Sequence, residues 1–112
     1  YDLRFPELFR QYSRQGAPIL ANCAEWPAAR TDHWLTLTAA RAIENLAWFI
    51  AVNAVGKSGK EVFAGCSRVI SPWGEIIAQA GSRDPELLFA DLNLSLVCEI
   101  RAAYPFLKDQ RL

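Results

Sequence analysis

Apolar residues come in short runs along this chain, and the spacing within the runs alternates between helical and strand-like. Pro6 suits a first helical turn, where its missing N–H would be unpaired anyway, and Leu8, Phe9 and Tyr12 follow at helical spacing before Gly16 offers a stop. A helix of about ten residues is marginal on its own, so packing must hold it in place. Residues 18–23 read as a short buried strand, and residues 25–30 as a loop punctuated by Pro27. A second helix is predicted over 33–46, capped by Thr31 or Asp32, with Leu35, Ala39, Ala42, Ile43 and Leu46 as its apolar stripe. Residues 48–55 form a continuous apolar run of strand character, expected to be buried on both faces. Three turns, over 56–60, 71–74 and 81–85, lead into predicted strands over 62–70, 75–80 and 87–92. Asn93 caps a last helix that runs to Ala103 and ends before Pro105, and the tail beyond carries no strong local signal. This order of elements specifies an α/β domain with a mixed sheet and helices on one face.

Composition narrows the function. At 112 residues there is room for one core only. Twelve basic residues balance twelve acidic ones, which removes the electrostatic case for nucleic acid or an anionic membrane surface. The longest apolar stretch, residues 46–52, is far too short to span a bilayer, and no charged leader with an apolar core precedes it. Three widely separated cysteines, Cys23, Cys66 and Cys98, argue against a disulfide framework and for reduced thiols in the cytoplasm. With one histidine and no Cys-x-x-Cys pair, neither a metal site nor a cofactor is expected.

Several side chains stand out on local grounds. Arg4 and Glu7 are one helical step apart and can form an ion pair, as can Arg41 and Glu44 on the second helix, where Asn45 can bond a neighbouring loop. Trp26 follows a strand end, where mixed α/β sheets place ligand-binding residues; burial against the next helix is the other reading. His33, the sole imidazole, sits at a helix start, which favours a hydrogen-bonding role over base catalysis. The three cysteines read as small buried thiols.

Six segments then carry a wider pattern: Tyr1-Asp2-Leu3-Arg4-Phe5-Pro6-Glu7; Ala24-Glu25-Trp26-Pro27-Ala28 to His33-Trp34; Ala40-Arg41-Ala42-Ile43-Glu44-Asn45 with Ala51-Val52-Asn53; Phe63-Ala64-Gly65-Cys66-Ser67; Ile70-Ser71-Pro72-Trp73-Gly74-Glu75; and Pro105-Phe106-Leu107-Lys108-Asp109-Gln110-Arg111. In this order they resemble the carbon–nitrogen hydrolases of the nitrilase superfamily, over essentially the whole chain. The sequence looks most like the bacterial omega-amidases, which cleave the terminal amide of 2-oxo dicarboxylic acid monoamides.

In that family a nucleophilic cysteine directly precedes the opening segment. The resemblance therefore implies that residues 1–112 are the C-terminal portion of a single hydrolase domain, without its Glu–Lys–Cys triad and inactive alone. It implies a mechanism in which the thiolate attacks the amide carbon, glutamate moves protons, lysine steadies the oxyanion and water hydrolyses the thioester. By the same resemblance, the backbone N–H of Tyr1 helps form the oxyanion hole, and Ala24 and Trp26 border the substrate pocket. Arg4 with Glu7 holds the elbow after the cysteine, Arg41, Glu44 and Asn45 form a buried polar network, and Asn53 and Ser67 support the pocket walls. The implied fold is a four-layer α-β-β-α sandwich, incomplete on its own, that forms a homodimer through residues 5–15 and 33–46. Two positions depart from the pattern: Ala39 stands where relatives often carry Arg or Thr, and Cys66 where His or Asp is common. The alternative reading is a non-catalytic dimerisation or heteromer module derived from the same fold.

Overall fold

Nine elements follow one another in a computed structural model that describes residues 1–111. They are α1 (Pro6–Arg14), β1 (Ile19–Ala24), α2 (Thr31–Asn45), β2 (Trp48–Asn53), β3 (Lys57–Ser58), β4 (Glu61–Val62), β5 (Arg68–Ile70), β6 (Ile76–Gln79) and α3 (Leu94–Ala103). Short 3-10 turns at Asp2–Arg4, Ala28–Arg30 and Phe106–Asp109 lie between and beyond them. The main sheet has the order β1-β2-β5-β6, and β3 with β4 makes a separate hairpin. β1 and β2 are parallel, so the chain must cross over between them, and α2 is that crossover. β5 and β6 then add antiparallel strands through the tight turn at Ser71, where Gly74 N–H donates to Ser71 O at 2.9 Å.

Side chains alternate across a strand, which divides the core in two. Leu20, Phe49, Ala51 and Ile70 point to one face, where Leu3, Phe9, Trp34 and Ala42 close over them. Trp48 and Val69 point to the other and pack against Val97 of α3, while the Trp48 indole N–H donates to Asn93 O at 3.0 Å. Helices thus lie on both faces, not on one as the element order suggests. The α3 cover is partial: Ala21 and Cys23 are exposed, and Val52, in the middle of the run expected to be buried on both faces, is 47% exposed.

The second helix differs most from its predicted form. It begins at Thr31, neither Thr31 nor Asp32 caps it, and the Thr31 hydroxyl donates to Ala28 O instead. Its buried residues are Trp34, Thr38, Arg41, Ala42 and Asn45, at i, i+4, i+7, i+8 and i+11, whereas Ile43 of the predicted stripe is half exposed. Polar residues can occupy that face because the helix accepts from their donors: Thr38 Oγ1 donates to Trp34 O at 2.8 Å and Asn45 Nδ2 to Arg41 O at 2.8 Å, although Asn45 Oδ1 finds no partner. The helix ends on Leu46 in the left-handed region (φ 45°), with Ala47 N–H donating back to Ala42 O.

Two predicted strands also change. Residues 62–70 hold only the ends of a strand, because Gly65 and Cys66 both adopt left-handed backbone (φ 59° and 54°) and turn the chain between β4 and β5. Residues 87–92 pair with no strand; Leu88 and Leu92 pack onto the Trp48–Val69–Val97 cluster while Leu87 and Phe89 project outward. The final helix follows its prediction, with Asn93 Oδ1 accepting from Ser95 N–H. From α3, Arg101 donates to the carbonyls of Ala17 (2.8 Å), Leu46 (3.1 Å), Asn45 (3.1 Å) and Gly16 (3.3 Å), which tie the ends of α1 and α2 together. Burial lowers the Arg101 guanidinium pKa below its ordinary value, with Cys98 opposing the shift. No helix among the described residues is long and apolar enough to cross a membrane.

Candidate functional site

β1 and β2 end side by side at Ala24 and Asn53. The carboxyl ends of neighbouring parallel strands are where α/β sheets open crevices for ligands. A cleft of about 240 Å³ lies there, lined by Tyr1, Arg4, Ala24, Glu25, Trp26, Pro27 and Arg30. Three of the sequence-predicted site residues, Tyr1, Ala24 and Trp26, therefore meet at this end of the sheet, with Arg4 as a fourth.

Trp26 is buried against the next helix and also faces the cleft: it is 4% exposed and packs against Trp34 with ring centroids 5.8 Å apart, yet it forms part of the cleft wall. Its indole N–H donates to Arg30 O at 2.7 Å, which fixes the ring's rotation and holds the loop's short helical turn. Its backbone is held by Asn53. Asn53 Oδ1 accepts from Trp26 N–H at 2.7 Å, and Asn53 Nδ2 donates to Gly65 O at 2.9 Å and to Trp26 O at 3.4 Å.

A second set of bonds joins the same loops, with Ala64 N–H donating to Trp26 O at 2.8 Å and Asn53 N–H to Ser67 Oγ at 2.9 Å. The 63–67 loop passes so close to Gly81 and Ser82 that a Cβ on Gly65 would stand 2.8 Å from Gly81 O. Asn53 and Ser67 thus join the Trp26 loop to the 63–67 loop beside the cleft.

Arg4 departs from its predicted partner. Arg4 and Glu7 form no ion pair; the Arg4 guanidinium lies over the Trp26 ring, 4.8 Å from its centroid, with Nη2 3.2 Å from His33 Nδ1. The reason is the turn Asp2–Arg4: Arg4 belongs to it, not to α1, so the two residues do not share a helix face. Glu7 lies instead at a second cleft of about 620 Å³ between α1 and the tail, with Arg10, Glu44 and Asp109. Tyr1 O accepts from Arg4 N–H at 3.1 Å, and the Tyr1 ring, largely exposed, packs tilted against Phe5 with centroids 5.0 Å apart.

Arg41, Glu44 and Asn45 stand apart from the small cleft, at the α1–α2 seam. Arg41 donates to Leu3 O at 2.6 Å and to Glu44 Oε1 at 2.9 Å, and Glu44 also pairs with Arg10. The network is buried at Arg41 and Asn45, and its link to the site is indirect: it fixes Leu3, within the turn that carries Arg4. A further buried guanidinium, Arg68, donates to Leu35 O at 2.8 Å and to Thr38 Oγ1 at 3.3 Å; burial lowers its pKa, with Cys66 opposing the shift.

Sequence reasoning did not place Arg30 at the cleft or His33 against Arg4. Arg30 follows Trp26 at i+4, a spacing that hints at the turn, but the His33–Arg4 contact joins residues far apart in the chain and has no local signature. No group of His, Cys, Asp and Glu among the described residues is arranged to hold a metal ion.

Comparison with known proteins adds four findings. The sequence model of the family described as "Carbon-nitrogen hydrolase" matches residues 1–102. The chain is 41% identical over 111 residues to a 2-oxoglutaramate amidase of Bacillus subtilis (strain 168), covering 99% of this chain and 42% of that protein. It is 40% identical over 110 residues to Omega-amidase YafV of Escherichia coli (strain K12), covering 97% of this chain and 42% of that one. The fold superposes on the C. elegans NitFhit protein with a TM-score of 0.90 at 36% identity, over 99% of this chain and 27% of that chain. The chain thus spans less than half the length of the relatives it matches.

Proposed function

The chain belongs to the carbon–nitrogen hydrolase family, and from that premise we propose that its cleft receives the acid-bearing end of a small ω-amide whose terminal amide is hydrolysed. The observation that carries this reading is the pairing of a buried aromatic wall, Trp26, with the Arg4 guanidinium laid across it at the carboxyl ends of β1 and β2. A guanidinium offers a planar fork of donors suited to a carboxylate, and Arg30 lines the same cleft. The names of the two bacterial relatives, an amidase of 2-oxoglutaramate and an omega-amidase, fit a substrate with an acid at one end and an amide at the other.

In this reading a cysteine thiolate attacks the amide carbon, ammonia leaves, and water hydrolyses the thioester to release the acid and restore the thiol. A glutamate moves the protons, a lysine steadies the oxyanion, and the backbone N–H of Tyr1 adds a further donor there. Cys23, Cys66 and Cys98 are all free, and none lines the small cleft. The nucleophile, glutamate and lysine are therefore assigned to a longer protein, of which residues 1–112 are the C-terminal portion. The half-covered sheet face fits a further layer of an α-β-β-α sandwich, and the unpaired thiols fit a cytoplasmic setting. The test is ammonia release from 2-oxoglutaramate. The isolated chain is expected to release none above buffer, and the protein translated with its upstream reading frame to release it catalytically; turnover by the isolated chain, or none by the longer protein, defeats the reading.

The same proposal pairs two copies through residues 5–15 and 33–46. Supporting it, α1 and α2 form one outer layer on which Tyr12 and Ile43 stand half exposed. Sedimentation of the longer protein is expected to give a dimer, and Ile43→Glu to shift it towards monomer; a wild-type monomer at micromolar concentration rejects the interface.

A further inference from the structure

We infer that His33 is a positioning residue: by accepting a hydrogen bond from Arg4 it holds that guanidinium at the cleft and so sets how well the site recognises an acid-bearing substrate. The inference rests on the proposed reading for its substrate, but the contact is visible without it. A guanidinium has donors only, so the 3.2 Å approach of Arg4 Nη2 to His33 Nδ1 makes Nδ1 the acceptor. The imidazole is then neutral, with its proton on Nε2.

Arg4 is an exposed side chain, and an exposed arginine left to itself samples many rotamers. Here it is restrained from two sides, by the Trp26 face at 4.8 Å and by His33 at the edge of the guanidinium plane. The Trp26 ring is itself anchored, and the exposed His33 is fixed through its backbone. Trp26 is fixed by Asn53 and by the bond from its indole to Arg30 O. His33 lies in the first turn of α2, next to Trp34, which is fully buried with its indole N–H donating to Cys66 O at 2.9 Å. A side chain held this way is pre-organised: it has lost its freedom before the ligand arrives, which improves binding without any new contact to the ligand. No other partner of the Arg4 side chain occurs among the described residues, so its remaining N–H groups are available for a carboxylate.

The test is steady-state kinetics of the longer protein on 2-oxoglutaramate and on butyramide, which has an amide but no acid. His33→Leu removes the acceptor. It is expected to raise KM for 2-oxoglutaramate about tenfold, the usual scale for one charge-assisted hydrogen bond, with kcat unchanged and butyramide unaffected. His33→Asn, whose Oδ1 falls near the Nδ1 position, is expected to restore KM, and His33→Lys to raise it further by repelling Arg4. An equal KM rise on both amides, a loss confined to kcat, or no rescue by Asn overturns the inference. A second readout needs no turnover: the ring-nitrogen NMR shifts of His33 in the 112-residue chain are expected to show a proton on Nε2 and an unprotonated Nδ1. A proton on Nδ1 overturns the inference directly. Failure of the wild-type enzyme on both amides, with those shifts as expected, defeats the proposed function and leaves the Arg4–His33 contact standing.

Discussion

The two faces of the central sheet are built by the same strands from the same kinds of residue, yet they end in different conditions. Under α1 and α2, Phe49, Ala51 and Ile70 are sealed, with Trp34, Leu3 and Phe9 above them. On the other face only the part below α3 is closed, at Trp48, Val69 and Val97, and the row reaching Val52 and Cys23 is open. Apolar alternation in a strand says that a face can be buried; the next layer decides whether it is. The cleft stands at the end of the sealed face, where Asn53 and Arg4 are held by groups already fixed in the core.

This contrast can be broken by substitution. Phe49→Ala, which opens a cavity between α1 and β2, is expected to cost about 3–5 kcal/mol in denaturant unfolding of the chain. A loss comparable to that of an exposed site refutes the sealed face. Asn53→Ala leaves Trp26 N–H and Gly65 O without their partners and is expected to cost about 1–3 kcal/mol. Its second signature is faster amide exchange at Trp26, and unchanged exchange there argues against Asn53 as the wall's support. Val52→Lys on the open face is expected to change stability by no more than about 0.5 kcal/mol in the 112-residue chain. The same change is expected to be strongly destabilising in the longer protein proposed above, and equal effects in both would sink the idea that a further layer covers this face.

Much of the architecture was legible because its signals are local. Pro6 at the start of α1, Gly16 after it, and Asn93 capping α3 act through their own backbone and immediate neighbours. The buried face of α2 was legible in part: Leu35, Ala39, Ala42 and Leu46 reach the core, but counting Thr38, Arg41 and Asn45 as polar hides that each finds a partner within the helix or at Leu3. Residues 87–92 carry the composition of a strand but lack a neighbour to pair with, and composition cannot report a missing partner. At the end of the sheet, the place of Trp26 beyond a strand was legible from the chain, whereas Ala24 and Asn53 were singled out only by family resemblance. The Arg4–Trp26–His33 arrangement depends on three segments meeting, and no spacing along the chain encodes it.

The reach of Arg101 has a consequence for how the molecule comes into being. Its four acceptors belong to segments made 55 to 85 residues before the guanidinium that answers them. Until residue 101 is added the ends of α1 and α2 can pack but not lock, and water must serve their carbonyls in the interval. A ribosome that stalls, or a protease that trims the chain before residue 101, leaves a product whose early helices are complete in sequence and unfinished in structure.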